Sequence, residues 1–554
     1  MTSMANAYDY IVVGGGSSGC VVATRLVEAG YSVLLLEAGP PDKDIYIHMP
    51  AGMRNAQRHS WNYLSEAEPG SDVPSIHIHQ GRVLGGGSSI NGMVYVRGSA
   101  HDYDDWERVH GCTGWSHDDV LPYFVRSEGN EVVSGPRHGT EGNLWVSEHR
   151  YRHPLTMAYL KAGQELGYPY LTDMSGATGQ EGVGFWQRTI HEGKRGSTAR
   201  AFLQRVMKNP LLTVVTGAIA ERIRVEGGVA RGVSYTLKGN ATIDATAHRE
   251  VVVTAGAIET PKLLMLSGIG PADHLAEFGI AGVADNRHVG QNFQDHVTVS
   301  ITAETPGIRS FLREGVGLTK VANGLEWLTF NQHGVVSSNV LEGGGYFDIN
   351  GDGRLDTQLF VFPFYEAKRE GNNSPKEITD GMALKIGHQY PESRGEVLLS
   401  GPKASDKARL KGNYLSAAGD LAMQVKAFKL GLSFFDAPSL KKIVRNVSPR
   451  LTDDREIEQF VRKNCTTNFH PTSSCRMGPA PDCSAVDLSL RVWGVANLRV
   501  ADASVMPHII AGNTNAPTIM IAERASEMII QDAARNAARG KPAHQCPSQA
   551  NSVT

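Results

Sequence analysis

Between Tyr8 and Glu37 the chain reads YDYIVVGGGSSGCVVATRLVEAGYSVLLLE. An apolar run, Tyr10 to Val13, enters a turn with glycines at 14, 16 and 19. A helical pattern follows, and a second apolar run, Val33 to Leu36, ends on an acid. This order specifies a β–α–β unit wrapped around a dinucleotide. Gly14 permits the tight turn, Gly16 lets the backbone approach a pyrophosphate, and Gly19 lets helix and strand pack closely. The helix N-terminus then turns its partial positive charge toward the phosphates. Glu37, at the end of the second strand, is placed to accept hydrogen bonds from a ribose diol. Its charge repels a 2′-phosphate, so FAD or NAD is expected rather than NADP.

The chain of 554 residues is too long for one core, and two or three domains are expected. Its 61 glycines are about 11% of the chain against a usual ~7%, which fits many tight turns and close approaches of backbone to ligand. A net charge of −3 gives no pull toward nucleic acid or an anionic membrane surface. Cys20, Cys112, Cys465, Cys475, Cys483 and Cys546 show neither zinc-ligand nor CxxC spacing, so reduced thiols and no metal site are expected. MTSMANAYDY lacks the basic and apolar regions of a signal peptide. No run reaches the ~18 apolar residues of a membrane span, and a cytoplasmic location follows as the expectation.

Further along, residues 211–237 alternate between glycines and read as a β-meander. Residues 249–270 read as a buried strand, a turn and a helix, and residues 497–507 as another strand and turn. Residues 515–538 read as a long helix with Pro517 in its first turn. One nucleotide-binding domain is therefore expected from three separated parts, 1–160, 195–300 and 450–538. Residues 161–194 and 301–449, with alternating strands and a helical stretch, form a substrate domain of antiparallel sheet backed by helices. Residues 539–554 are small and polar and read as a tail. The fold class is α/β, α+β overall, around a Rossmann-like unit.

Two further stretches carry chemistry. GRVLGGGSSINGMVYVRG, residues 81–98, has glycines that let the backbone approach a flat ring, with Ser88, Ser89 and Asn91 beside them; a flexible surface loop is the alternative. HPTSSCRMG, residues 470–478, supplies His470, the side chain type suited to taking an alcohol proton. AGNTNAPT, residues 511–518, supplies asparagines that donate without adding charge. A structural histidine and a simple helix cap are the alternatives. DINGDGRLD, residues 348–356, begins like a calcium loop, but Leu359 stands where the bidentate Glu is required, so a plain acidic loop is expected.

Taken together, the N-terminal fingerprint, GGGSSINGMVYVRG, VVVTAGAIETPKLLMLSGIGP, QNFQDH (291–296) and NLRVADASVMP…GNTNAPTIMIAERA resemble the glucose–methanol–choline family of FAD-dependent alcohol oxidoreductases. The likeness covers nearly the whole chain. DYDDWERVHGCTGWSHDDVLPYFVRSEGN and HPTSSCRMG carry a closer likeness to members of the L-sorbose dehydrogenase and choline dehydrogenase type.

The resemblance implies that Gly14, Gly16 and Gly19 hold the pyrophosphate, Glu37 the adenosine ribose, and the Ala220 backbone the adenine. It implies that Gly87, Ser88, Asn91 and Met93 line the ribityl chain and ring. Asp502, Ala503 and the helix N-terminus near Thr518 reach the flavin from the other side. His470 matches the active-site histidine and Asn515 the second active-site position, which is His or Asn among members. Ile90 stands where some members attach FAD through a His, so non-covalent FAD is expected. The implied activity is hydride transfer from a polyol, sugar or other primary alcohol to flavin. His470 is the base, and a quinone, a dye or O2 is the electron acceptor. An oxidase, and a non-redox flavin lyase or binding protein, are the alternatives.

Overall fold

A computed structural model describes residues 7–67, 70–176, 179–237, 241–329, 334–366 and 378–539. The expected tail falls almost wholly outside them, as does Cys546. Ala7–Val13 pairs in parallel with Val33–Glu37 on one side and with Ile243–Val253 on the other. Tyr10–Val13 and Val33–Leu36 are buried along their length, as a parallel strand covered on both faces must be. Each buried Val or Leu there contributes about 1.5–3 kcal/mol of transfer free energy.

The expected meander is only partly one. Ala218–Glu226 and Val229–Leu237 form an antiparallel ribbon that continues onto the first half of Ile243–Val253. Leu212–Thr216, however, lies on the far side of the sheet, parallel to Val33–Glu37. Gly217, with φ +72, separates the two strands. The strand Leu498–Val500 pairs in parallel with Val251–Val253. Helix Ser17–Glu28 packs on the C-terminal helix Asn515–Ala538. Arg25 joins them by an ion pair to Glu523 at 2.7 Å.

A second, antiparallel sheet runs in the order Arg445–Ser448, Val297–Glu304, Gly381–His388, Thr357–Phe362, Gly343–Phe347, Gly182–Phe185. Its strands keep strict alternation. Met382, Leu384 and Ile386 on one strand and Leu359 and Val361 on its neighbour enter an apolar core with helix Ala418–Asp436. Ala383, Lys385, Phe360 and Phe362 therefore face the opposite way.

Several stretches expected in the nucleotide-binding part belong with this second core. Leu155, Tyr159 and Leu160 of helix Pro154–Glu165, Val297 and Val299, and Ile457 and Val461 of helix Asp454–Asn464 all pack there. Amphipathic helices of this kind follow whichever apolar face they cover, and that partner is remote in sequence.

In the acidic loop, Asp348 accepts backbone N–H groups of Gly351 and Gly353, both at 2.7 Å, and Asp356 those of Ile349 and Asn350. Among the described residues no helix is long and apolar enough to cross a membrane.

Candidate active site

A cavity of about 400 Å³ runs between the two sheets, from the glycine turn to the inward face of the second sheet. At one end stand Gly14, Gly16, Ser17, Glu37 and Ala220. The glycines there divide by function. A Cβ on Gly19 would lie 1.9 Å from the Gly14 carbonyl oxygen, and one on Gly14 2.5 Å from that of Thr254. These two let protein pack on protein, and Gly19 itself does not line the cavity. A Cβ on Gly16 would meet nothing closer than 3.9 Å, and one on Gly87 nothing within 4 Å. Among the described residues no atom comes close enough to require glycine at those two positions. They leave backbone bare toward the cavity at the N-terminus of helix Ser17–Glu28, where an anion is favoured.

Glu37 accepts N–H from Gly15 at 2.9 Å and from Gly39 at 2.7 Å. Burial pushes its carboxyl up, against the opposing pull of these two donors.

The second glycine-rich stretch is locked rather than loose. Gly85 is left-handed, and a Cβ on Gly86 would lie 2.6 Å from the Gly16 Cα, so the two glycine turns touch. Asn91 and Met93 line the cavity. Asn91 Oδ1 accepts from the Met93 N–H at 3.0 Å and from Arg195 at 2.8 Å. Ser88 does not line it: its hydroxyl donates to the Gly85 carbonyl and accepts the Thr198 N–H at 3.0 Å, so it braces the turn from behind. On the opposite wall Asp502, Ala503 and Thr518 all border the cavity. Asp502 takes N–H from Gly256 and Ser504 and a hydroxyl proton from Thr260. Ile90 is buried beside Asn91 and borders the cavity.

At the far end stands His470, 7% exposed. Asp295 fixes the turn that carries it, accepting the backbone N–H of both His296 and His470 at 2.8 Å and the Thr467 hydroxyl proton. Phe469, immediately before, is held at φ +63, a conformation of the strained kind that collects at functional sites.

His470 Nδ1 lies 2.9 Å from His296 Nδ1, and His296 Nε2 lies 3.0 Å from the Gln389 carbonyl oxygen. Burial lowers both rings, His296 to about 3 and His470 well below its ordinary value, so both are neutral near pH 7. That fixes the protons. The carbonyl only accepts, so His296 Nε2 carries its proton and His296 Nδ1 is a lone pair. His470 Nδ1–H donates to it, which leaves His470 Nε2 as a lone pair. It accepts an N–H from Asn513 Nδ2 at 3.1 Å.

The sequence pointed to Asn515 for that position, and the structure places Asn513 there instead. Asn515 is the first residue of the C-terminal helix, and its Oδ1 is turned to the Ser17 hydroxyl at 2.8 Å. Asn513 stands two residues earlier, after Gly512, whose N–H is held by the Gln389 side chain at 2.8 Å. Asn513 Oδ1 and Asn468 Nδ2 are buried without partners, on residues that border the cavity. The sequence does not single out His296 or Lys385 as site residues; the sheet's alternation turns Lys385 inward.

The chain is similar to known proteins along most of its length. The N-terminal GMC oxidoreductase profile matches residues 8–298 and the C-terminal one residues 391–522. An alcohol dehydrogenase [acceptor] of Pseudomonas putida is 39% identical over 95% of this chain and 96% of its own. The mitochondrial choline dehydrogenase of Homo sapiens is 39% identical over 94% of this chain and 89% of its own. A point variant of Aspergillus oryzae formate oxidase, solved for its FAD modification, superposes with a TM-score of 0.87 at 25% identity over 96% of this chain and 99% of its own. The matched regions meet across one cavity and span most of the sequence, and the chain belongs to the GMC oxidoreductase family.

Proposed function

We propose that the protein oxidises a primary alcohol to an aldehyde, with FAD held non-covalently as its cofactor. The carrying observation is His470 Nε2. It is an unprotonated nitrogen, held as such by a chain of two hydrogen bonds, in a cavity continuous with a bare glycine cradle. Gly16 and the N-terminus of helix Ser17–Glu28 suit the pyrophosphate, Glu37 the adenosine ribose and Ala218–Ala220 the adenine. Gly87, Asn91, Met93, Asp502, Ala503 and Thr518 border the space for the ring. Isoleucine at position 90 has no atom that could bond the cofactor.

When bound, FAD supplies the hydride acceptor. The protein's part is acid–base and electrostatic. His470 Nε2 takes the hydroxyl proton, and Asn513 Nδ2–H, 3.1 Å away, donates to the oxygen as it becomes an alkoxide. Gln389 keeps both groups in register, its carbonyl on His296 and its side chain on Gly512. The N-terminus of helix Asn515–Ala538 lends partial positive charge to the wall at Thr518. Phe360, Phe362, Val94 and Leu341 give the substrate end apolar walls, which suit a hydrocarbon chain better than the hydroxyls of a sugar.

We take a quinone or dye as the onward acceptor, on the likeness to an acceptor-type alcohol dehydrogenase; oxygen-dependent choline dehydrogenases of similar identity make O2 the alternative. Anaerobic mixing with alcohols tests the reading: bleaching of the oxidised flavin is expected, and readmitted air should restore it slowly. A flavin that no alcohol bleaches refutes the oxidation, and rapid reoxidation with stoichiometric peroxide refutes the dehydrogenase assignment.

A further inference from the structure

The strand Gly381–His388 sends one ammonium toward the end of the cavity that holds His470. Lys385 lies directly across from Phe360 in the ladder and shares its face with Ala383, while Met382, Leu384 and Ile386 take the core face. Its Nζ donates to the Thr467 carbonyl at 2.9 Å and stands 5.5 Å from the Phe469 ring centroid, in the segment that carries His470. Among the described residues it joins no ion pair. Asp295 acts on it through space, with oxygens already taken by Thr467 and by two backbone N–H groups.

The carboxylates that border the cavity lie elsewhere and are engaged. Glu37 holds Gly15 and Gly39, and Asp502 holds Gly256, Thr260 and Ser504. Glu259 holds the Tyr63 hydroxyl at 2.5 Å and the Lys262 ammonium at 3.1 Å. Among the described residues the substrate end thus carries one positive charge and no free acid. Two of its aromatic faces are already taken by protein cations: Arg82 lies 4.5 Å over Trp61, and Lys385 itself faces Phe469.

Resting on the alcohol-oxidation reading above, we infer that Lys385 sets the charge selectivity of this site. It favours an alcohol that carries a carboxylate over its neutral isostere, and it rejects a quaternary ammonium alcohol. The choline dehydrogenases among the relatives therefore differ from this chain in substrate charge. An ammonium in a partly dry pocket acts on a ligand charge far more strongly than one in water. Burial also lowers the Lys385 ammonium to about 8, so it is charged at neutral pH and loses its charge in mild alkali. The titratable groups that face it are Asp295, His470 and, behind His470, His296.

The test uses the holoenzyme at neutral pH and three alcohols: hydroxypropanoate, choline, and dimethylbutanol, the neutral isostere of choline. Anaerobic flavin reduction should give kcat/KM at least ~10-fold higher for the hydroxy acid than for the neutral alcohol, with choline at least ~10-fold lower still, a step of about 1.4 kcal/mol each. Lys385→Met should collapse both ratios, whatever the loss of its bond to the Thr467 carbonyl does to the rate with the neutral alcohol. Lys385→Gln serves if the methionine variant does not fold.

Binding by the wild-type protein alone gives an independent arm. Propanoate should perturb the flavin spectrum and tetramethylammonium should not. Choline turnover matching its isostere, or unchanged ratios in the variant, overturns the inference. Propanoate binding without oxidation of any of the three overturns the alcohol reading and leaves the charge selectivity standing.

Discussion

Asn513 and Asn515 lie two residues apart in GNTNAP, and the structure gives them different work, which substitution can separate. Asn513 Nδ2 is 3.1 Å from His470 Nε2, so an alcohol oxygen bound between them receives an N–H while it gives up its proton. Removing one such donor to a developing oxyanion costs about 2.7–4 kcal/mol, or ~10²–10³ in rate. Asn513→Leu should therefore slow anaerobic flavin reduction at saturating alcohol by that factor, with FAD retained. Asn515 Oδ1 instead accepts from Ser17 Oγ at 2.8 Å and joins the first and last helices. Asn515→Ala should leave the reduction rate within about threefold and show its effect in cofactor affinity and melting temperature, as a lost interhelical bond of about 1 kcal/mol does. Stopped-flow reduction of the holoenzyme reads both. A loss of ~10² or more in Asn515→Ala, with Asn513→Leu near wild type, would refute the geometric argument.

The histidine pair has its own signature: His296→Leu removes the acceptor of the His470 Nδ1 proton and frees the wrong tautomer, so flavin reduction should drop toward the ~10⁴ that a misplaced imidazole proton costs, and an unchanged rate sinks the relay. Because burial holds His470 well below 6.5, the base stays unprotonated as the pH falls past that value, so the acid limb of kcat/KM should lie well below pH 6.5; a limb at or above it contradicts the assignment. The glycines should separate cleanly. Gly16→Ala meets no protein and should weaken FAD binding at near-normal melting temperature, whereas Gly19→Ala drives a methyl into the Gly14 carbonyl and should cost about 1–3 kcal/mol of stability, read by thermal denaturation. Calcium should not shift the melting temperature, since the Asp348 and Asp356 oxygens are already taken by backbone N–H groups.

Local signals carried the fold far. Glycine spacing and apolar runs fixed the β–α–β entry, and periodicity with an early proline placed the helix Asn515–Ala538 at its observed bounds. What failed was long-range. Nothing in residues 211–237 says that Leu212–Thr216 crosses to the other side of Val33–Glu37, because strand partners are chosen in space. The site was harder still. His296, Lys385, His470 and Asn513 come from four separated segments, and only their convergence makes one a proton acceptor's brace and another a charge in a pocket. Nothing local tells Asn513 from Asn515, because it is Ser17, remote in sequence, that takes up the Asn515 side chain. Lys385 had a readable signal, in ALKIGH, where a lysine sits at the pitch of one sheet face.

The nucleotide-binding sheet has a consequence for how the protein is made. Its first strand leaves the ribosome at once, but Leu498–Val500, beside Val251–Val253, and the helix that seals the cradle against Ser17–Glu28 come last. At ~5–20 residues per second the N-terminal half waits roughly 10–50 s for them. During that wait the sheet edge at Val251–Val253 stands unpaired, a template for the wrong partner. A chain cut short before residue 498 would lack both the strand and the wall of the cavity. The dinucleotide cradle is thereby complete only once the chain has been made through the helix Asn515–Ala538.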